Sequence, residues 1–200
     1  MTDERAAAAI GGIALLERAI NYTLGCLHLV TPDALDRATP CADWDLRALL
    51  AHLDDSLRVL GEAVDLGVVQ LDAVGTDPAA DPVAGVRGSA THLLGALAGS
   101  RDQPEISIGG CPLTTGIVAA TGAVEVAVHG WDVARACGVD RPIPPPLAEE
   151  MLDLSALLVS VDDRPVRFAA AVDVPPRADP GDRLVGFLGR RPYPTISRAA

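Results

Sequence analysis

The chain has 200 residues, nearly half of them hydrophobic but only 3% aromatic, and a formal charge of −11. That length suits one domain with a sizeable core, which must be built of Ala, Leu and Val. The acidic balance argues against nucleic acid and anionic membrane surfaces as partners. All 16 basic residues are Arg, and with the Ala, Gly and Pro load this suggests a GC-rich genome. The opening MTDERAAAAI has no small-residue cleavage site, and no uninterrupted apolar run reaches the length of about 18 that a membrane span needs. Cys26, Cys41, Cys111 and Cys137 show no CxxC spacing, so four reduced thiols in a cytoplasmic protein are expected.

Residues 3–29 read as a first helix, with Ile10, Ile13, Leu16, Ile20, Leu24 and Leu27 at helical spacing, stopped by Thr31-Pro32. Asp43 is the expected N-cap of a second helix from Trp44 to about Leu66, with Asp45 adding favourable charge to its first turn. Leu46, Leu49, Leu50, Leu53, Leu57 and Leu60 form its apolar stripe. His52 falls about 60° outside the stripe's edge, where a ligand at the rim of a cavity would stand.

Residues 67–81, with Gly75, Asp77-Pro78 and Asp81-Pro82, read as a loop before a third helix over about 82–99. Pro104 to Cys111 (PEISIGGC) reads as extended. A fourth helix is expected from about Leu113 to Ala136, ending at Gly138, and a fifth from Leu147 to Ser160 after the rigid RPIPPP connector. Val166 to Val174 reads as extended. A short last helix has Asp179 as cap, Pro180 at its first position and Gly189 past its end; the final ten residues read as frayed. The expected fold is all-α: a helical bundle over residues 1–162, with a short C-terminal appendage, 163–200, packed on it.

Within the fourth helix, Glu125 and His129 stand four residues apart in an apolar run. An i, i+4 pair shares one helical face, so a carboxylate and an imidazole can close on one metal ion if a third ligand arrives from elsewhere. The same pair could equally be an ordinary hydrogen-bonded core pair. Asp132 lies on the face of Glu125, about 20° away after two turns, and reads either as a partner orienting an imidazole or as a helix-end hydrogen bond. Trp44 and Trp131 read as core and pocket wall, His92 as a surface or packing histidine, and His28 as complementing the negative end of the first helix. Cys41 reads as a buried small apolar side chain. Catalytic triads, phosphate-binding glycine loops and dinucleotide fingerprints are absent from the sequence.

TPCADWDLRALLAHL (Thr39 to Leu53) and EVAVHGWDVARA (Glu125 to Ala136) together resemble the DinB-like metal-binding bundles, and more closely the N-terminal domain of the mycothiol-dependent maleylpyruvate isomerases. Asp179 to Pro192 is similar to the ending of an actinobacterial subgroup with that domain. The resemblance implies a four-helix bundle holding a divalent metal, usually Zn2+, through His52, Glu125 and His129. The choice of His52 over His28 and His92 leans on this resemblance. It further implies mycothiol as co-substrate and a small electrophilic molecule as substrate, in an isomerase or S-transferase. Only residues 161–200 follow the fifth helix, whereas the characterised isomerases have a larger C-terminal domain, so no substrate residue is carried over. A non-catalytic metal-binding bundle, and a thiol-independent metal-dependent tailoring enzyme or hydrolase, are the competing expectations. Two His and a Glu also suit iron, nickel or manganese. A homodimer is compatible with the resemblance.

Overall fold

The computed structural model describes residues 2–41, 44–69, 81–99, 105–160, 162, 164 and 168–193, with only the backbone described for 2–10. Asp43, the loop residues 70–80 with Gly75 and Asp77-Pro78, Pro104, residues 165–167 and the tail 194–200 lie outside these. The chain divides into two compact units, Met1–Arg141 and Pro142–Ala200. By contacts, therefore, the fifth helix groups with the C-terminal residues.

In the first unit, α1 spans Thr2–Cys26 and continues as short 3-10 turns at Leu27–Leu29 and Pro32–Ala34. Then come α2 (Leu46–Leu66), β1 (Val68–Val69), α3 (Pro82–Gly99), β2 (Glu105–Ile108), β3 (Cys111–Thr114) and α4 (Thr115–Ala136). The expected helical bundle is present: α1 packs along α4, and α2 packs against both α3 and α4. The stripe read on α2 is the core, with Leu46, Leu49, Leu50, Leu53 and Leu57 all buried.

Several boundaries differ from expectation: α5 spans Pro145–Leu158 instead of Leu147–Ser160, Val68–Val69 form a strand within the stretch read as a loop, and two helices start late. Helix α2 starts two residues late, because Asp45 rather than Asp43 caps it: its carboxylate accepts a hydrogen bond from the Ala48 amide at 2.8 Å. Helix α4 also starts late, because Cys111–Thr114 pair antiparallel with β2, Ile106 opposite Leu113. Thr114 then caps α4 by accepting from the Ile117 amide. Gly109 and Gly110, both at positive φ (55° and 84°), make the two-residue turn of this hairpin. Strand β1 adds parallel to β2, Val68 opposite Ser107. The small sheet closes a local cluster of Ala63, Val69, Ile106 and Val118.

Helix α4 is long and apolar enough to pass the length and composition test for a membrane span, but 83% of its window is buried inside the structure. It is the core helix of the bundle. Its fit against α1 depends on glycine: a Cβ at Gly12 would collide with the Gly116 carbonyl, and one at Gly130 with Thr23. Thr23 in turn donates its hydroxyl to the Val126 carbonyl at 2.8 Å.

In the second unit, α5 (Pro145–Leu158) packs with α6 (Pro180–Phe187). Asp179 stands at the N-cap of α6 with Pro180 following, but its side chain makes no capping hydrogen bond. Gly189, at φ 84°, follows the helix as the sequence pattern predicts. Residues 168–174 belong to no strand, although the Val172 amide donates to the Gly186 carbonyl at 2.9 Å.

Candidate metal centre

The packing of α2 on α4 brings His52, Glu125 and His129 together. One potential ligand atom from each lies within 4.8 Å of the other two. Glu125 Oε1 is 2.7 Å from His52 Nε2 and 3.0 Å from His129 Nε2, so one carboxylate oxygen faces both imidazoles. Glu125 and His129 are held at this spacing by the helix itself; His52 is delivered from the edge of the α2 stripe.

The three side chains sit at different depths. His129 is 5% exposed, whereas His52 and Glu125 are 36% and 37% exposed. Beneath His129, Asp132 is fully buried, and its Oδ2 lies 3.0 Å from His129 Nδ1. Of the two expectations for Asp132, the contact is thus with an imidazole, at i+3 on the same helix.

The charges follow from this arrangement. Burial pushes the Glu125 carboxyl up, but hydrogen bonds from His129 and His52 outweigh it and hold the group well below the usual carboxylate range. Burial likewise pulls His129 down, yet hydrogen bonds to Asp132 and Glu125 outweigh it and raise the imidazole to about 9. Each group thus favours the charged form of the other, carboxylate on Glu125 and imidazolium on His129.

The sequence pattern places Trp44 only as core or wall. Its ring lies 4.6 Å from that of His52 and 6.2 Å from that of His129, a relation set by the chain reversal before α2 and not by any helical spacing. Trp131 is buried, with the Arg135 guanidinium 5.1 Å over its ring. His92 and His28 stand apart from the cluster: His92 Nε2 is 3.3 Å from Asp65, and His28 Nδ1 is 3.2 Å from the Arg87 guanidinium. Cys41 is half-buried rather than buried, because it lies in the turn before α2 instead of inside the core; none of the four cysteines is in a disulfide.

Two N donors and one O donor on adjacent helices, partly open to solvent, define a helical-bundle protein with a candidate divalent-metal centre. The comparisons give the family: the chain belongs to that of the mycothiol maleylpyruvate isomerase N-terminal domain, whose model matches residues 16–134. All three residues of the cluster fall inside that range. Two proteins of Mycobacterium tuberculosis, from strains CDC 1551 / Oshkosh and ATCC 25618 / H37Rv, are similar over most of the chain. Both bear the description "uncharacterized protein", and each is 30% identical over 182 residues, 87% of this chain and 94% of its own.

Proposed function

We propose that the protein is a metal- and thiol-dependent enzyme that adds a small thiol, mycothiol by the family's name, to a small electrophilic molecule. The observation that carries this reading is the convergence of His52 Nε2, Glu125 Oε1 and His129 Nε2, with His129 Nδ1 set on a buried carboxylate. This donor set fits a divalent ion, Zn2+ first, and leaves positions open for a substrate. Among the described residues the cluster holds these three groups only, which favours an open catalytic site over a closed structural one.

When bound, the metal supplies ionisation of the thiol and a fixed place for its sulfur. A free thiol of pKa about 8.5 is only a few per cent ionised at pH 7, so full ionisation is a gain of roughly 30-fold, about 2 kcal/mol. Positioning must contribute the rest. Glu125 and His129 hold their places through the helix, and Asp132 fixes the His129 tautomer by accepting from Nδ1–H, which leaves Nε2 as the donor to a cation. His52 and Glu125 are the partly exposed members of the set, which supports an approach of thiol and electrophile from their side. Addition of the thiolate to a conjugated double bond, rotation, then elimination gives isomerisation; protonation of the adduct with sulfur retained gives S-transfer.

Metal content per chain, by plasma mass spectrometry on untagged protein, tests the centre. About one equivalent is expected, lost in Glu125→Gln and His129→Ala; folded wild-type protein without metal sinks the proposal. Loaded protein mixed with mycothiol and a panel of electrophiles tests the thiol, since no adduct and no isomerised product would leave a thiol-independent enzyme or a binding module.

A further inference from the structure

The two imidazoles of the centre are oriented by different means. His129 is gripped at both nitrogens and almost fully buried. His52 makes its hydrogen bond through Nε2 alone, to Glu125; among the described residues no hydrogen bond reaches its Nδ1. A one-point contact leaves an imidazole free to pivot about that point. Among the described residues, two rings lie against that of His52: the Trp44 indole, centroid to centroid 4.6 Å and tilted 52°, and, farther off, the His129 imidazole, edge-on at 5.1 Å.

The main chain that carries the indole is firmly held. The Trp44 carbonyl accepts from both the Thr39 amide (3.2 Å) and the Thr39 hydroxyl (3.0 Å), and the Trp44 amide donates to the Cys41 carbonyl (3.3 Å). On the helix side, the amides of Leu46 and Arg47 donate to the carbonyls of Arg37 and Leu35, both at 2.9 Å. The turn before α2 is thus sewn to the start of the helix, and the Trp44 ring leaves it toward both histidines, 4.6 Å from that of His52 and 6.2 Å from that of His129.

We propose that Trp44 is the positioning residue of His52: its ring takes, for the exposed histidine, the part that the Asp132 carboxylate takes for the buried one. The inference rests on the metal reading above for its consequence, but on the ring contact alone for its substance. Trp44 stops the imidazole from swinging toward solvent, keeps Nε2 aimed at Glu125, and keeps water off one side of the pair. The pre-α2 turn then belongs to the centre, although it contributes no ligand.

Two measurements test it. In metal-free protein, the ring protons of His52, assigned by their loss in His52→Gln, are expected to be displaced by the indole ring current from the positions of an exposed imidazole. They should move to those positions in Trp44→Ala and stay displaced in Trp44→Phe. Undisplaced His52 signals in the wild type overturn the inference, and this readout needs no metal. Competition for Zn2+ with a chromogenic chelator is expected to show binding on the order of ten-fold weaker in Trp44→Ala, the scale of losing a group that orients a ligand. Trp44→Phe should recover most of it; wild-type affinity in folded Trp44→Ala overturns the inference. If the wild type binds no metal, the proposed function fails while the ring shifts still decide on Trp44.

Discussion

Helices α2 and α4 supply the same centre from opposite environments. Helix α2 is one-sided: a leucine stripe faces inward, and His52 stands at its edge. Helix α4 is covered almost all round, leaving Ile117, Thr121, Glu125 and Arg135 as its solvent-reaching residues. The first three of these are four residues apart, so Glu125 ends a narrow open strip on an otherwise buried rod. The difference teaches where fold and function are bound together. On α4 the candidate ligands are part of the core's polar accounting. On α2 the candidate ligand is an addition to a helix whose leucine stripe packs without it.

The largest effect should therefore come from His129→Ala. It takes away the imidazole that compensates a fully buried carboxylate, and breaking such a pair costs about 3 kcal/mol or more. Denaturant unfolding should show this loss in metal-free protein, before any contribution from metal is counted. Gly130→Ala comes next, at about 2 kcal/mol, because the new methyl group must displace Thr23 and with it the α1–α4 contact. If Gly130→Ala melted like the wild type, α1 would not be pressed against α4 at this point and the contrast between the helices would weaken.

pH sharpens the same contrast. His129 has its pKa raised in the folded protein to about 9, above the ordinary value of 6.5. Its contribution is fully present below about pH 6.5 and is lost as pH rises through 9, on the order of 3 kcal/mol in all. Glu125 is depressed, so its contribution is present above the ordinary carboxylate value and is lost only in strong acid. A metal held by His129, as proposed, would displace its proton, so metal affinity is expected to rise with pH over the range where the metal-free protein weakens. Melting temperatures of chelated and loaded protein from pH 5 to 10 should diverge upward; parallel curves would mean that no proton is exchanged.

Much of this is legible in the chain, and what is not has physical causes. The α2 stripe and the Glu125–His129 pair are readable because both follow from helical period, and burial then has one geometric solution. Asp132 is placed by the same period on the face of Glu125, but its contact is with His129, since i+3 on a helix is as near as i+4. The hairpin is half visible. PEISIGGC reads as extended, yet Cys111–Thr114 look like the start of a helix, and only pairing with Glu105–Ile108 makes them a strand. Asp45 and Asp43 are equally good caps by type; the chain reversal decides between them. Trp44 carries no periodic signal at all, because its place over His52 is set by hydrogen bonds across the turn from Leu35 to Arg47.

The smallest effect on the fold should come from His52→Ala. The residue lies off the leucine stripe, its side chain is about a third exposed, and its one hydrogen bond is to a carboxylate that keeps His129 as a partner. Loss of a partly exposed pair of this kind costs under about 1 kcal/mol. Metal, by contrast, should fall to background, because two donors from one helix leave a divalent ion without the third that an open catalytic set requires. A variant that unfolds like the metal-free wild type but holds no metal would separate the two properties in a single substitution. A variant that loses as much stability as His129→Ala would instead place His52 within the core, and α2 would then depend on the centre for its packing no less than α4 does.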